Sequence, residues 1–323
     1  MTQLRYALVL AGGLSHERAV SLRSGRRVAD ALAAAGVRVE IRDADAALLP
    51  ALAAHPPTAV FPCLHGALGE DGALREVLEL LELPYVGSLP DACRRAWAKP
   101  VAKAAVRAAG LATPPSVTLP RETFRELGAA AVLDALVQRL GLPVFVKPTQ
   151  GGSALGSSLV QEREDLPAAM VSCFAYGDTA LVERFVNGTE VAVSVLNRGT
   201  GPLALPAVEV APDSGMYDYT SRYTAGTTEF FVPARLPDAV VHDVAAAALI
   251  AHRVLGLRDL SRTDLVVDDA GTPWFLEVNV APGMTQTSLF PQAVVAAGLE
   301  LGEVCRDLLT VAVQRHTRRG SDG

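Results

Sequence analysis

The chain has 323 residues, enough for two domains, or three small ones, at roughly 150 residues per domain. Hydrophobic residues make up 50% and charged residues 20%, which supports an ordinary core and excludes wholesale disorder. The formal net charge is −6, so no basic surplus exists to neutralise a phosphate backbone, and nucleic acid is excluded as the main partner.

The N-terminus, MTQLRYALVLAGG, is apolar for only about six residues before Gly12-Gly13. That predicts a buried strand, not an export signal, and puts the expected location in the cytoplasm. Ser15 is placed to cap a following helix, in which Val28, Leu32 and Ala35 recur at helical spacing. VRVEIRD alternates with period two, AVFPCLHG is an apolar run, and ALREVLELLELPYVG reads as a helix and a short strand. Strands alternating with helices predict a parallel sheet with binding residues at the carboxyl ends of its strands, where GGLSHE and HGALGEDG lie.

A helix over residues 97–109 ends at Gly110, and LATPPSVTLP follows, so a boundary falls between 97 and 113. Next come a helix (ETFRELGAAAVLDALVQRL), a strand (PVFVKP), a Gly-rich loop, a strand (SSLVQ), a helix-like stretch and the strand ALVERFV. Asn187-Gly188 is a turn signal, with the strand EVAVSVL after it. Residues 211–234 show no sustained helical or strand period and suit a lid or binding loop, and Tyr217, Tyr219 and Tyr223 argue against plain disorder. The tail QRHTRRGSDG is assigned no function. Ala-rich runs such as ADALAAAG and VVHDVAAAALIAH are helices too interrupted to span a bilayer, so no membrane association is expected. Cys63, Cys93, Cys173 and Cys305 are scattered without a CxxC pair and read as reduced, buried thiols.

The segment SRTDLVVDDAGTPWFLEVNVAPGMT carries the strongest chemistry. If Ala270-Gly271 centres a tight hairpin, Asp264 faces Glu277 and Arg262 faces Asn279, all four on one face. Leu265, Val267 and Phe275 fall on the other face, with Leu276 and Val278 fitting less regularly. Two carboxylates and an amide oxygen are hard ligands suited to Mg²⁺, which bridges phosphate oxygens while Arg262 meets developing negative charge. A solvated sheet face with charges gives the same pattern. In VFVKPTQGGSALGSSLV, Gly151, Gly152 and Gly156 with Ser153, Ser157 and Ser158 form a loop whose backbone N–H groups can cradle phosphates, and Lys147 ends the preceding strand. It is no Walker loop, lacking GK[ST] and a following helix, and a flexible hairpin reads equally well. Glu17, His65, Lys99, Glu183 and Glu190, each taken alone, suit surface turns or helix ends as well as a site.

Taken in order, GGLSHERAVS, HGALGEDG, LPYVGS, LPVFVKPTQGGSALG, LVERFVNGTEVAV, YDYTSRYT, SRTDL and FLEVNVAPGMTQTSL resemble the D-alanine–D-alanine ligase family of the ATP-grasp superfamily, nearly end to end. The resemblance implies an α/β fold, α+β in the ATP-binding part. Residues 1–100 would form an N-terminal parallel-sheet domain, 101–189 a central ATP-grasp domain with the Gly-rich flap, and 190–323 a C-terminal domain with the metal site and the 211–234 lid. It implies ATP-dependent ligation of two D-alanines through a D-alanyl phosphate, for peptidoglycan precursors. Lys99 and Lys147 would contact phosphates under the flap of Gly151, Gly152 and Ser153. Glu183, Arg184, Phe185 and Val186 would line the adenine pocket, and Glu190 would hold the ribose. Asp264, Glu277 and Asn279 would bind two Mg²⁺, with Mn²⁺ able to substitute. Arg262 and the Gly283 N–H would form the oxyanion hole. Glu17 would hold the first D-alanine's ammonium, with His65 also on the substrate. Arg222 and Ser288 would meet the second substrate's carboxylate, and Glu17, Ser153 and Tyr223 would close the lid against water. A homodimer through the N-terminal domain is expected.

This chain departs from the family pattern at Arg222, where lysine is frequent, and a planar fork is not a point charge. Ala154 stands where a second serine is common, Ala98 where an acid is common, and Val280-Ala281 replaces a more polar pair. These departures keep open a related ligase with another D-amino acid acceptor, or one making a secondary-metabolism dipeptide. Tyr223 argues for an amine as the second nucleophile.

Overall fold

The computed structural model describes Leu4, residues 6–213 and residues 227–321. The N-terminal apolar run forms strand β1 (Ala7–Leu10), buried at all four positions. A strand buried on both faces belongs inside a parallel sheet. β1 lies between β2 (Val39–Arg42) and β3 (Ala59–Pro62), parallel to both. The short strand expected after ALREVLELLE reduces to one parallel bridge, Val60 to Tyr85. The first helix, Arg18–Ala34, has Glu17 at its N-cap and no side-chain cap. The expected cap, Ser15, instead accepts the backbone N–H of Glu17 at 3.2 Å. The helix starts too late for Ser15 to reach its first turn, so the hydroxyl closes a local turn ahead of it.

The next sheet is antiparallel: β4 (Ser116–Pro120), β5 (Val144–Pro148), β6 (Ser158–Val160) and β7 (Thr179–Arg184), in the order β4-β7-β5-β6. The single helix expected between β4 and β5 is two, Arg121–Leu127 and Ala129–Leu140, broken at Gly128, whose φ of +86° is a left-handed value. Phe124, Leu133 and Leu136 from these helices and Met170 from helix Leu166–Phe174 pack on Val144, Val146 and Val182. The opposite side of β5 and β7 turns Lys147 and Glu183 toward the cleft.

The third sheet has the order β11-β10-β8-β12-β13, with β9 added to β8. Its strands are β8 (Thr189–Leu196), β9 (Leu203–Ala204), β10 (Val208–Pro212), β11 (Thr228–Phe231), β12 (Leu260–Val267) and β13 (Pro273–Asn279). Alternation decides its faces. Val191, Val193, Leu265 and Phe275 bury against Val244, Ala247 and Ala251 of helix Asp238–Val254. The other face carries Glu190, Asp264 and Glu277. Farther along, that face joins the first sheet through one apolar cluster, in which Ala192, Val208 and Val210 meet Phe290 of helix Leu289–Ala296.

Residues 211–234 depart from the expected irregular lid at both ends. Thr228–Phe231 is a strand paired antiparallel with Val208–Pro212, and Asp213 N–H donates to the Thr227 carbonyl at 3.0 Å. The neighbouring strand β10 supplies the ladder, which outweighs the loop-like Gly and Thr composition. Residues 214–226, including Tyr217, Tyr219, Arg222 and Tyr223, lie outside the described residues. All four cysteines are buried free thiols. Among the described residues no helix is long and apolar enough to cross a membrane.

Candidate active site

The hairpin β12–β13 sets the centre of the cleft. Asp264 pairs with Glu277, Arg262 with Asn279, and Thr263 with Val278 between them. Toward the turn the register slips by one residue, so that Leu265 pairs with Phe275 and Val267 with Pro273. Leu276 is the extra residue, a β-bulge. It turns Leu276 and Glu277 together toward the cleft while Phe275 stays in the core. This explains why Leu276 and Val278 fit the simple alternation poorly. Glu190 shares the face, because it pairs with Val266 on one side and Val210 on the other.

Two carboxylates directly opposed repel unless cations compensate them. Arg262 holds Asp264 through two parallel bonds, Nε to Oδ1 at 2.7 Å and a terminal nitrogen to Oδ2 at 2.8 Å. Lys99 Nζ lies 3.0 Å from Glu277 Oε2 and donates to the Gly151 carbonyl at 2.6 Å. Lys99 begins the helix Lys99–Ala108 and is 8% exposed, so it is not a solvated surface lysine. The Asn279 side-chain oxygen accepts the Ala281 N–H at 2.7 Å, which orients the amide. Among the described residues no three His, Cys, Asp or Glu side chains form a metal-holding group. The candidate donors are two acids and an amide, which suit a hard divalent cation.

On one side of this centre lies a cavity of about 380 Å³. Lys147, the Gly-rich loop, the 183–186 segment, Glu190 and Leu276 line it. Glu183 is buried, not solvated at a turn. Lys147 Nζ lies 2.5 Å from its Oε1, and Lys103 Nζ lies 2.8 Å from its Oε2. Burial pushes the Glu183 carboxyl up, but Lys147 and then Lys103 outweigh it and hold it below the ordinary value. Arg184 sends its side chain out to the Leu140 carbonyl at 3.0 Å, and Phe185 N–H donates to the Pro143 carbonyl at 3.0 Å. Those two bonds fix the strand end that edges the cavity.

On the other side is a cavity of about 600 Å³, which shares Lys99, Gly151, Gly152 and Glu277 with the first. Glu17, His65, Ser153, Arg262, Gly283 and Ser288 line it. The Ser153 hydroxyl donates to Glu17 Oε1. Ser153 and Ala154 are left-handed, with φ of +54° and +55°, so the loop turns sharply where it meets Glu17. A Cβ on Gly152 would stand 3.0 Å from a Glu17 oxygen, so a side chain there would make the carboxylate give by a few tenths of an ångström. Ser288 Oγ accepts the Thr285 N–H at 3.0 Å and lies 2.8 Å from Thr285 Oγ1.

The segment HGALGEDG is no surface turn. His65 and Glu70 are both buried. Ser24 Oγ, 3.4 Å from His65 Nε2, accepts the Met284 N–H at 3.0 Å and so ties the first helix to the segment after β13. Burial lowers the His65 pKa, against the opposing charge of Glu17. Burial, and then the Glu17 charge, push the Glu70 carboxyl up to about 8, although Gly66 N–H donates to it at 2.9 Å.

The structure therefore gathers Glu17, His65, Lys99, Lys147, Gly151, Gly152, Ser153, Glu183, Glu190, Arg262, Asp264, Glu277, Asn279, Gly283 and Ser288 along one cleft. Arg222 and Tyr223 fall outside the described residues. Two buried groups were missed from sequence. Glu70 lines the larger cavity, and its signal was only the acid in HGALGEDG. Lys103 follows Lys99 by one helical turn, which puts both on one face of the helix.

The segment 105–310 matches the family model described as "D-ala D-ala ligase C-terminus", and 45–88 matches "D-ala D-ala ligase N-terminus". A D-alanine–D-alanine ligase of Anaeromyxobacter dehalogenans is 41% identical over 301 residues, 93% of this chain and 94% of that protein. The crystal structure of a D-alanine–D-alanine ligase from Bacillus anthracis aligns with TM-score 0.83 at 27% identity, over 98% of this chain and 99% of that one. Its complex with ATP aligns at TM-score 0.78 and 25% identity, over 97% and 99%. A D-Ala:D-Ser ligase from Enterococcus faecalis aligns at TM-score 0.81 and 27% identity, over 96% of this chain and all of that one (100%).

Proposed function

The chain belongs to the D-alanine–D-alanine ligase family, with its α/β ATP-grasp fold, and from that premise we propose how the cleft performs the reaction. The enzyme is an ATP-dependent ligase that joins two D-alanines into D-alanyl-D-alanine, the family's contribution to peptidoglycan synthesis. The observation that carries the site assignment is the Asp264–Glu277 pair, compensated by Arg262 and Lys99, at the junction of two cavities.

ATP takes the cavity edged by Glu183, Arg184, Phe185, Val186 and Glu190, with Lys147, Lys99 and the loop of Gly151, Gly152 and Ser153 on its phosphates. Asp264, Glu277 and Asn279 would hold Mg²⁺, which supplies charge neutralisation at the phosphates. The first D-alanine lies in the larger cavity with its ammonium on Glu17 and its carboxylate toward the phosphates, and His65 stands beside it. Its carboxylate oxygen forms a bond to the γ-phosphorus while the bond to the ADP oxygen breaks. Positioning and charge compensation by Lys99, Lys147 and Arg262 carry that step.

The second D-alanine places its carboxylate near Ser288, with Arg222 assisting. Its neutral amine forms a bond to the acyl carbon, the carbon–oxygen bond to phosphate breaks, and the proton lost by the amine leaves with the phosphate. Arg262 and the Gly283 N–H meet the oxygen that becomes negative. Glu17, Ser153 and Tyr223 hold the loop and lid closed, because an acyl phosphate exposed to water hydrolyses. We further assign residues 1–100, 101–189 and 190–323 as three domains, a homodimer as the assembly, and the cytoplasm as the location.

The test is phosphate release and product mass read in one tube, with ATP, Mg²⁺ and D-alanine, against L-alanine. D-alanine-dependent phosphate with stoichiometric dipeptide supports the reading. Phosphate without dipeptide favours the second reading, another acceptor, which the likeness to a D-Ala:D-Ser ligase motivates; an acceptor panel that includes D-serine then decides.

A further inference from the structure

Three charges stack at the wall of the smaller cavity. Glu183 presents Oε1 to Lys147 at 2.5 Å and Oε2 to Lys103 at 2.8 Å. Lys147 and Glu183 share a sheet face, because Glu183 pairs with Phe145 and Leu181 with Lys147 across β5 and β7. Lys103 comes from a different element, the helix Lys99–Ala108. One face of that helix thus serves two carboxylates, Glu277 through Lys99 and Glu183 through Lys103.

Lys103 is 1% exposed and is not part of the cavity lining. Lys103 Nζ and Glu183 Oε2 form a buried ion pair at 2.8 Å. What Lys103 contributes is charge. Burial pushes it down to about 8, against the pull of Glu183, so it still carries a proton at neutral pH.

The count of charges decides what Lys147 can do. With Lys103 in place, two cations share one buried anion, and Lys147 can turn to a phosphate while Glu183 keeps a partner. Without Lys103 the remaining pair is neutral. Moving Lys147 would then strand a buried carboxylate, which is strongly unfavourable. We propose that Lys103 is a positioning residue for nucleotide binding: it holds Glu183 so that Lys147 is released to the phosphates. This rests on the reading that ATP occupies this cavity.

The experiment measures KM for ATP, KM for D-alanine and kcat in the full-length enzyme. Lys103→Met should raise KM for ATP by about tenfold or more, with KM for D-alanine within about twofold of wild type. Lys103→Arg, which keeps the charge, should stay close to wild type. Adding Glu183→Gln to Lys103→Met removes the trap, and should bring KM for ATP back to that of Glu183→Gln alone. A packing defect would show no such rescue. Should Lys103→Met fail to fold, Lys103→Gln is read by the same criteria. An unchanged KM for ATP without the Lys103 charge, or a double variant no better than the single, overturns the proposal. Lys147→Met is the control on the site: if it leaves KM for ATP unchanged, the cavity reading itself fails, and the role of Lys103 with it.

Discussion

Glu277 faces Asp264 across the β12–β13 hairpin because Leu276 is bulged out of β13. Each acid meets its own cation, Lys99 for Glu277 and Arg262 for Asp264. Glu277→Gln keeps the shape of the side chain and leaves Lys99 its bond to the Gly151 carbonyl, so the fold should survive it. Turnover should fall by about a hundredfold or more, because a charged oxygen that would hold Mg²⁺ against the phosphates is lost. Phosphate release and thermal melting on the same preparation check this, and near-normal turnover would remove Glu277 from the catalytic centre.

That pairing was legible in the sequence, though by a route that needed correction. A turn centred on Ala270-Gly271 predicts Asp264 opposite Glu277, yet the pairs next to the turn sit one residue away from that register. The bulge restores the predicted pairing where the acids stand. Periodicity cannot reveal a bulge, since one extra residue imitates a noisy alternation. The buried β1 and the parallel first sheet were legible because apolar runs alternate with helices. Lys103 and Glu70 were not: each is a charge buried by partners from distant segments, which local pattern does not encode.

Glu70 predicts a specific dependence of stability on pH. Its carboxyl is raised to about 8 in the folded chain, by burial first and by Glu17 second. The unfolded chain ionises it near the ordinary value of about 4.3. Between these values the folded state binds the extra proton, so stability falls as pH rises, by up to about 1.4 kcal/mol per pH unit from this group. Glu70→Gln should therefore raise Tm at pH 7 and leave it nearly unchanged at pH 4. Melting curves of both proteins across that range test it, and parallel curves would show Glu70 ionised in the folded state.

Removing divalent cations should separate binding from turnover. Excess chelator should lower turnover by about a hundredfold or more, and added Mg²⁺ or Mn²⁺ should restore it. Asp264→Asn keeps the shape of the side chain but loses a charged oxygen and the grip on Arg262. The Mg²⁺ concentration for half-maximal activity should then rise by about tenfold. Full activity in chelator would exclude the proposed role for Asp264, Glu277 and Asn279.

Ser153 joins the Gly-rich loop to Glu17 at the start of the first helix. The left-handed Ser153 and the tight approach of Gly152 hold the loop in that geometry. If the bond keeps the loop over the reacting groups, its loss should let water reach the acyl phosphate. Ser153→Ala and Glu17→Gln should each raise the ratio of phosphate released to dipeptide formed. Because both variants weaken the same Ser153–Glu17 bond, the double variant should lose less than the sum of the two single losses, with a coupling of about 1–2 kcal/mol in kcat/KM. Gly152→Ala should act in the same direction by pushing the loop off Glu17. Simple additivity of the two single effects would show that Glu17 and Ser153 act separately, Glu17 on the substrate and Ser153 on the nucleotide.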